Sequence, residues 1–227
     1  KAVNNQIADG NRVFLRHAFA GQMCTATELP RLKDDRRSTE LLVDRFKDFD
    51  LVVTSGGMSV GDFDVLGQVL RSRGEVLVYK IAVKPGKPVL VAKLDDTFFV
   101  GLPGNPVSTL VSFQLFVVPI LRLLNGVSAA WPAFAALPLA HAVDSGGTRL
   151  DFKRAMVETG DHGSQVRLMP KQGSAALSGL LGCDGIVARP ANVPLSQPGD
   201  AVGVFCFDEK SRYLDLARFE TEIWNTL

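Results

Sequence analysis

The sequence predicts an α/β domain over residues 1–128, built on a parallel sheet with helices on both faces, followed by a small all-β, barrel-like domain over residues 129–227. Three observations predict this. Up to about residue 128, short apolar runs alternate with amphipathic patterns of helical period, as expected of strands joined by crossover helices. At SAAWPAFAALP the composition shifts. Beyond it, short strand-like pieces are separated by Gly, Pro and Asp turns, as in small barrels and sandwiches.

The elements follow in order. Asn11 to Ala20 has helical period, CTATEL from Cys24 is strand-like, and Ser38 is the expected cap of a helix carrying Leu41, Leu42, Arg45 and Phe46. Asp50 to Thr54 reads as a buried strand, and Val65, Leu66, Val69 and Leu70 form the apolar stripe of the next helix. PVLVAKL and FFVGL are two strands joined by the turn-like Asp95-Asp96-Thr97. Asn105 and Pro106 then open a helix, with proline at the first helical position, where its missing N–H costs nothing. Asn125 and Gly126 end that helix. In the second domain the strand candidates are FAALPLAHAV, RLDFKRAMVE, QVRLMP, GIVARP and AVGVFCF. The final stretch, RYLDLARFETEIWNTL, is amphipathic and receives no role.

Charge and composition narrow the functional classes. The 25 Lys plus Arg against 24 Asp plus Glu leave a formal net charge of +1, without the basic excess that drives nonspecific nucleic-acid binding. Any anion site is therefore local. Cys24, Cys183 and Cys206 are odd in number and form no CxxC, which fits a reducing compartment better than a disulfide framework or a zinc site. His17, His141 and His162 form no metal-ligand pattern. The apolar run from Val107 to Leu121 contains Ser108, Thr109, Ser112, Gln114 and Pro119 and is closed by Arg122. That falls short of the roughly 20 residues of a membrane span, so it reads as a buried helix, covered either within a monomer or by a second subunit. No signal-peptide pattern opens the chain, and Lys1 rather than Met stands first, so a longer or processed parent is expected.

The stretch VVTSGGMSVGDFDVL, from Val52 to Leu66, places a Ser-Gly-Gly turn between a strand and a helix. Open α/β sheets bind ligands at the carboxyl ends of their strands, where glycine backbone N–H groups and a helix N-terminus favour an anion. The connection is also simply a good turn. Asp62 and Asp64 would repel a phosphate unless a divalent cation, most naturally magnesium, lies between. The alternative makes Asp64 a helix cap and Asp62 a solvated loop residue. Asp34 and Asp35 admit the same pair of readings. KPGKP, residues 84–88, is either a solvated turn or a rigid oxyanion receptor flanked by Lys84 and Lys87. GLPGNP, residues 101–106, is either a connection or a second loop presenting N–H groups to an anion.

Taken together, TSGGMSVGDFD, KPGKP and GLPGNPVS, in this order and spacing, resemble the molybdopterin molybdenumtransferase family, which includes bacterial MoeA and the gephyrin E domain. The resemblance extends over nearly the whole chain, through Ile7, Asp9 and Asn11, the Asp34-Asp35 pair, RLDFKR at 149–154 and QGS at 172–174. It implies a three-layer molybdopterin-binding, MogA-like first domain, and a cytoplasmic enzyme that inserts molybdate into adenylylated molybdopterin with magnesium-dependent release of AMP. A homodimer of the full-length parent, and no nucleic-acid or membrane partner, are implied with it.

Carried over by position, the resemblance puts the pterin-phosphate loop on Thr54, Ser55, Gly56 and Gly57, and the magnesium side on Asp62 and Asp64. The molybdate-proximal lysines become Lys84 and Lys87, and the proline-rich loop becomes Pro103, Gly104, Asn105 and Pro106. Asp9, Arg149 and Ser174 become substrate-facing. Two departures stand out: Gly10 replaces the Ser or Thr common between Asp and Asn, and Ala175-Ala176 follows QGS. Two other readings stay open: a molybdopterin adenylyltransferase-like activity, which would not call for KPGKP or a β-rich tail, and a non-catalytic binding or scaffold module. The resemblance also implies two further domains ahead of this segment.

Overall fold

The computed structural model describes residues 9–32, 35–56, 65–128, 131–161, 163–174 and 182–207. It divides into two compact units, Lys1–Ile81 with Gly86–Trp131, and Ala82–Pro85 with Pro132–Leu227.

In the first unit, helix α1 (Gly10–Ala20) is followed by α2 (Arg36–Val43) and a 3₁₀ turn at Phe46–Asp48. The cap of α2 is Asp35 rather than Ser38: the Asp35 carboxylate accepts from the Ser38 backbone N–H at 2.8 Å. An aspartate three residues earlier occupies the site that the serine was expected to fill. Arg45 and Phe46 lie beyond the helix, in or beside the 3₁₀ turn. The CTATEL segment forms no strand. Strand β1 (Leu51–Ser55) leads towards α3 (Val65–Arg73), and β2 (Glu75–Tyr79) follows. The two-residue β3 (Val83–Lys84) belongs to the second unit, whereas β4 (Leu90–Leu94) and β5 (Thr97–Leu102) return to the first.

The sheet order is β1-β5-β4-β2. Among the described strands of this sheet only β1 and β5 pair in parallel; β5–β4 is the expected hairpin, and β4–β2 is also antiparallel. The sheet is therefore mixed, because Asp95-Asp96 turns the chain straight back, with Asp95 at φ 50°. Helices do cover both faces. Val52, Leu90, Ala92, Leu94 and Phe99 pack with Phe46, Leu66, Val69 and Leu70 on one side. Val91, Val100 and Leu102 pack with Phe113, Val117 and Leu121 on the other.

The long helix on that second face comprises α4 (Pro106–Ser112), a π turn at Phe113–Val117 and α5 (Val118–Leu124). Pro119 cannot donate to the carbonyl four residues back and crowds it, and the wider turn just before it relieves that conflict. Pro106–Leu124 is long and apolar enough to cross a membrane, yet 67% of its apolar window is buried inside the fold, as in a core helix. Its second cover is α1, whose Phe14 and Phe19 meet Phe113 edge-on at 6.1 and 5.2 Å. The helix ends as expected: Gly126 takes φ 76°, its N–H bonds Leu123 O at 2.9 Å, and Val127 N–H bonds Arg122 O at 2.9 Å.

The second unit contains β6 (Ala135–Pro138), β7 (Leu150–Gly160), β8 (Gly163–Leu168), β9 (Gly185–Arg189) and β10 (Ala201–Cys206). Each falls within one of the five strand-like pieces or overlaps it closely. The order is β3-β7-β9-β10-β6, with β8 also on β7. A bridge from Leu139 to Val166 of β8, with Ala140 N–H bonding Val166 O at 2.9 Å, closes the strands into a ring. Ala155, Val166, Val187, Val202 and Val204 belong to its apolar core.

Candidate functional site

In the first unit the chemistry gathers where β1 and β5 end side by side. Their parallel register sets Thr54 opposite Gly101 and Ser55 opposite Leu102, so the chain leaves both strands at the same edge. Gly56 N–H donates to Leu102 O at 3.0 Å and extends the ladder by one bond. Its φ of 78° then turns the chain away in a conformation suited to glycine. The Gly56 N–H is thus spent within the fold, and the residue serves as the turn rather than as an anion donor. Gly57, Asp62, Asp64, Asp34 and Ile7 lie outside the described residues.

The Gly101–Pro106 loop leaves β5 beside Gly56. A Cβ placed on Gly104 would lie 3.7 Å from the Gly56 Cα, so the two loops touch through glycine backbone. Pro103 is buried, whereas Gly104 and Asn105 are exposed. Thr109, fully buried, donates through Oγ1 to Pro103 O at 2.7 Å and to Asn105 O at 3.0 Å. Asn105 occupies the cap position of α4, but its side chain makes no capping bond; its carbonyl accepts the Thr109 N–H at 2.8 Å. Asp9 caps α1, its carboxylate accepting from the Arg12 N–H at 3.1 Å. Asn11, 8% exposed, donates through Nδ2 to Gly104 O at 2.7 Å and ties the start of α1 to the same loop.

Two polar atoms here lack partners among the described residues: Asn11 Oδ1 and Thr54 Oγ1. A buried polar group without a partner costs stability, and a bound ligand is one way to satisfy it. No group of three His, Cys, Asp or Glu side chains gathers to hold a metal among the described residues.

The second unit carries the other predicted residues. Lys84 pairs in register with Asp151 of β7, and its Nζ lies 3.6 Å from Asp151 Oδ2. Lys153 Nζ reaches the same oxygen at 3.2 Å. Arg149 donates to Val83 O at 3.3 Å and shares a face of β7 with Asp151 and Lys153 by strand alternation. Lys84 and Lys153 thus converge on one carboxylate oxygen. Lys87, by contrast, belongs to the first unit; its side chain is exposed and its carbonyl accepts from Ile81 N–H and Val89 N–H, both at 3.1 Å. Ser174 is half-buried.

Sequence reasoning passed over Asp151, Lys153, Arg154 and Gln172 as site residues. The pairing of KPGKP with RLDFKR is a contact between distant segments, and no local period announces it. Alternation within RLDFK could have placed Arg149, Asp151 and Lys153 on one face.

Comparison with known proteins then decides the family. Residues 1–123 match the family model described as a probable molybdopterin binding domain, and residues 136–207 match the MoeA C-terminal region, domain IV. The chain belongs to the MoeA family of molybdopterin-binding proteins. The molybdopterin molybdenumtransferase of Haemophilus influenzae is 37% identical over 183 residues, covering 78% of this chain and 45% of that protein. The molybdenum cofactor synthesis protein cinnamon of Drosophila melanogaster is 33% identical over 185 residues, covering 78% of this chain and 31% of its own length. A crystal structure of the molybdopterin biosynthesis moea protein from Pyrococcus horikosii superposes with a TM-score of 0.74 at 30% identity, over 92% of this chain and 50% of that one. The chain therefore spans half or less of the length of these MoeA relatives.

Proposed function

We propose that this chain acts in molybdenum cofactor synthesis as part of a molybdopterin molybdenumtransferase. The reaction is insertion of molybdate into the dithiolene of adenylylated molybdopterin, with release of AMP. The observation that carries this reading is the joined edge at β1 and β5. There a glycine turn, a second glycine loop tied down by Asn11 and Thr109, and the unpartnered Thr54 hydroxyl meet on a family member.

In this reading the Gly56 turn and the Gly104 loop let the pterin phosphate approach the backbone closely, with Thr54 and Ser55 as hydroxyl donors and the N-terminus of α4 behind them. On the second unit Lys84 and Arg149 attract the tetrahedral molybdate dianion, and Asp151 fixes the direction of the Lys84 ammonium. Rate enhancement comes from positioning and electrostatics, and no side-chain nucleophile is used. Asp62 and Asp64 would hold magnesium, which when bound offsets the charge of the phosphoanhydride. The parent works in the cytoplasm as a homodimer.

A direct test supplies the chain with adenylylated molybdopterin, molybdate and magnesium and measures AMP. The expected outcome is AMP release that requires molybdate. Failure to bind the adenylylated substrate would overturn the proposal.

A further inference from the structure

The second unit contains a buried cation with no acidic partner among the described residues. Arg154 of β7 is 1% exposed, and burial pulls its guanidinium below the ordinary arginine pKa. Its Nη2 donates to Lys171 O at 2.5 Å and Gly173 O at 3.1 Å, whereas Nε and Nη1 have no described partner. Burying a charge against neutral carbonyls alone is costly, and an apolar side chain of similar size would avoid that cost. What the charge secures here is one loop.

The backbone of the same residue is clasped by that loop. Strand β8 pairs with β7 only from Ala155 onward, where Ala155 faces Leu168. Beyond that pair the Met169 N–H still donates to Arg154 O at 2.9 Å, and the carboxamide of Gln172 joins it there: Oε1 accepts the Arg154 N–H at 3.0 Å, and Nε2 also donates to Arg154 O at 2.9 Å. Nε2 also donates to Met169 O at 2.8 Å, which closes the turn onto itself. The side-chain amide thus supplies the acceptor for the Arg154 N–H and completes this rung of the ladder, while the Arg154 guanidinium grips the carbonyls on either side of Gln172. The next residue after Gly173 is Ser174.

We propose that Arg154 and Gln172 are positioning residues whose joint clasp fixes the 171–174 loop and thereby presents the Ser174 hydroxyl to the oxyanion substrate. This deepens the functional reading by adding Ser174, which the family resemblance makes substrate-facing, and rests on that reading for the ligand. The clasp itself stands on the geometry of β7 and the loop. It also assigns the glutamine of the QGS stretch to the scaffold and only the serine to the ligand.

The test uses the full chain, with molybdate alone as the probe. Gln172→Leu keeps side-chain size and removes the amide rung; Arg154→Lys keeps the charge and removes the forked grip; Ser174→Ala is the reference. The first two variants are expected to speed amide hydrogen exchange at Gly173 and Ser174 and to weaken molybdate binding about tenfold. Ser174→Ala should weaken binding equally. Unchanged exchange in Gln172→Leu overturns the clasp. Faster exchange with undiminished binding, where Ser174→Ala does weaken it, overturns the positioning role. Should Arg154→Lys lose its cooperative melt, Gln172→Leu decides alone. If wild type and Ser174→Ala bind molybdate equally, or neither binds it, the functional reading of Ser174 is what falls, and exchange still decides the clasp.

Discussion

Thr109 shows how one side chain shapes the candidate site without touching a ligand. Its buried hydroxyl serves two carbonyls of the loop that faces Gly56, so Thr109→Val leaves the Pro103 carbonyl without this donor at nearly constant volume. The expected cost is about 1–3 kcal/mol in chemical denaturation, the usual range for a buried group that loses its partner. Lys84 is a different case, exposed and paired among the described residues with Asp151 at 3.6 Å. Exposed ion pairs contribute little to stability, so Lys84→Ala should leave the melting temperature almost unchanged. In the proposed reaction it should raise the molybdate concentration needed for half-maximal AMP release by about tenfold, the worth of one charged hydrogen bond. An unchanged requirement would remove Lys84 from the oxyanion site.

At the scale of elements, the barrel depends on close strand contacts that a single methyl group disrupts. A Cβ on Gly185 would lie 2.4 Å from Phe205 O, so β9 and β10 would have to part. Gly185→Ala is therefore expected to cost about 1–3 kcal/mol in thermal or chemical unfolding, as overpacking does. The β7–β8 hairpin carries a pH signature. The Arg167 guanidinium bonded to Glu158 holds that carboxyl below the usual glutamate range. A carboxyl lowered on folding stabilises the protein above its unfolded value, and the contribution is lost as pH falls through the lowered folded value. Glu158→Gln should thus lower the neutral plateau slightly, as expected for an exposed pair, and flatten the acid limb, so that the two proteins converge in stability at low pH. A titration with identical acid limbs would contradict this.

Across the whole molecule, much was legible in local pattern. The period of Val65, Leu66, Val69 and Leu70, the Asn125-Gly126 stop and strands β6 to β10 all follow from residue spacing and turn chemistry. What escaped was set by partners distant in sequence. CTATEL has strand composition but forms no strand. The Asp95-Asp96 turn converted an expected parallel arrangement into a mixed sheet, and β3 was invisible because two residues carry no period. The site divides in the same way. Thr54, Gly56 and Gly104 were readable as a strand-end glycine cluster, whereas Asn11 and the Arg154–Gln172 clasp depend on bonds that span 93 and 18 residues.

The central claim, that the β1–β5 edge holds the pterin phosphate, is tested most directly by molybdopterin binding to wild type and Thr54→Val. The substitution removes an unpartnered hydroxyl at constant shape, so unfolding stability should hold or rise. If that hydroxyl serves the phosphate, equilibrium titration will show affinity lower by about tenfold, as for loss of a charged hydrogen bond. Equal affinity in the two proteins, with stability preserved, would contradict the account.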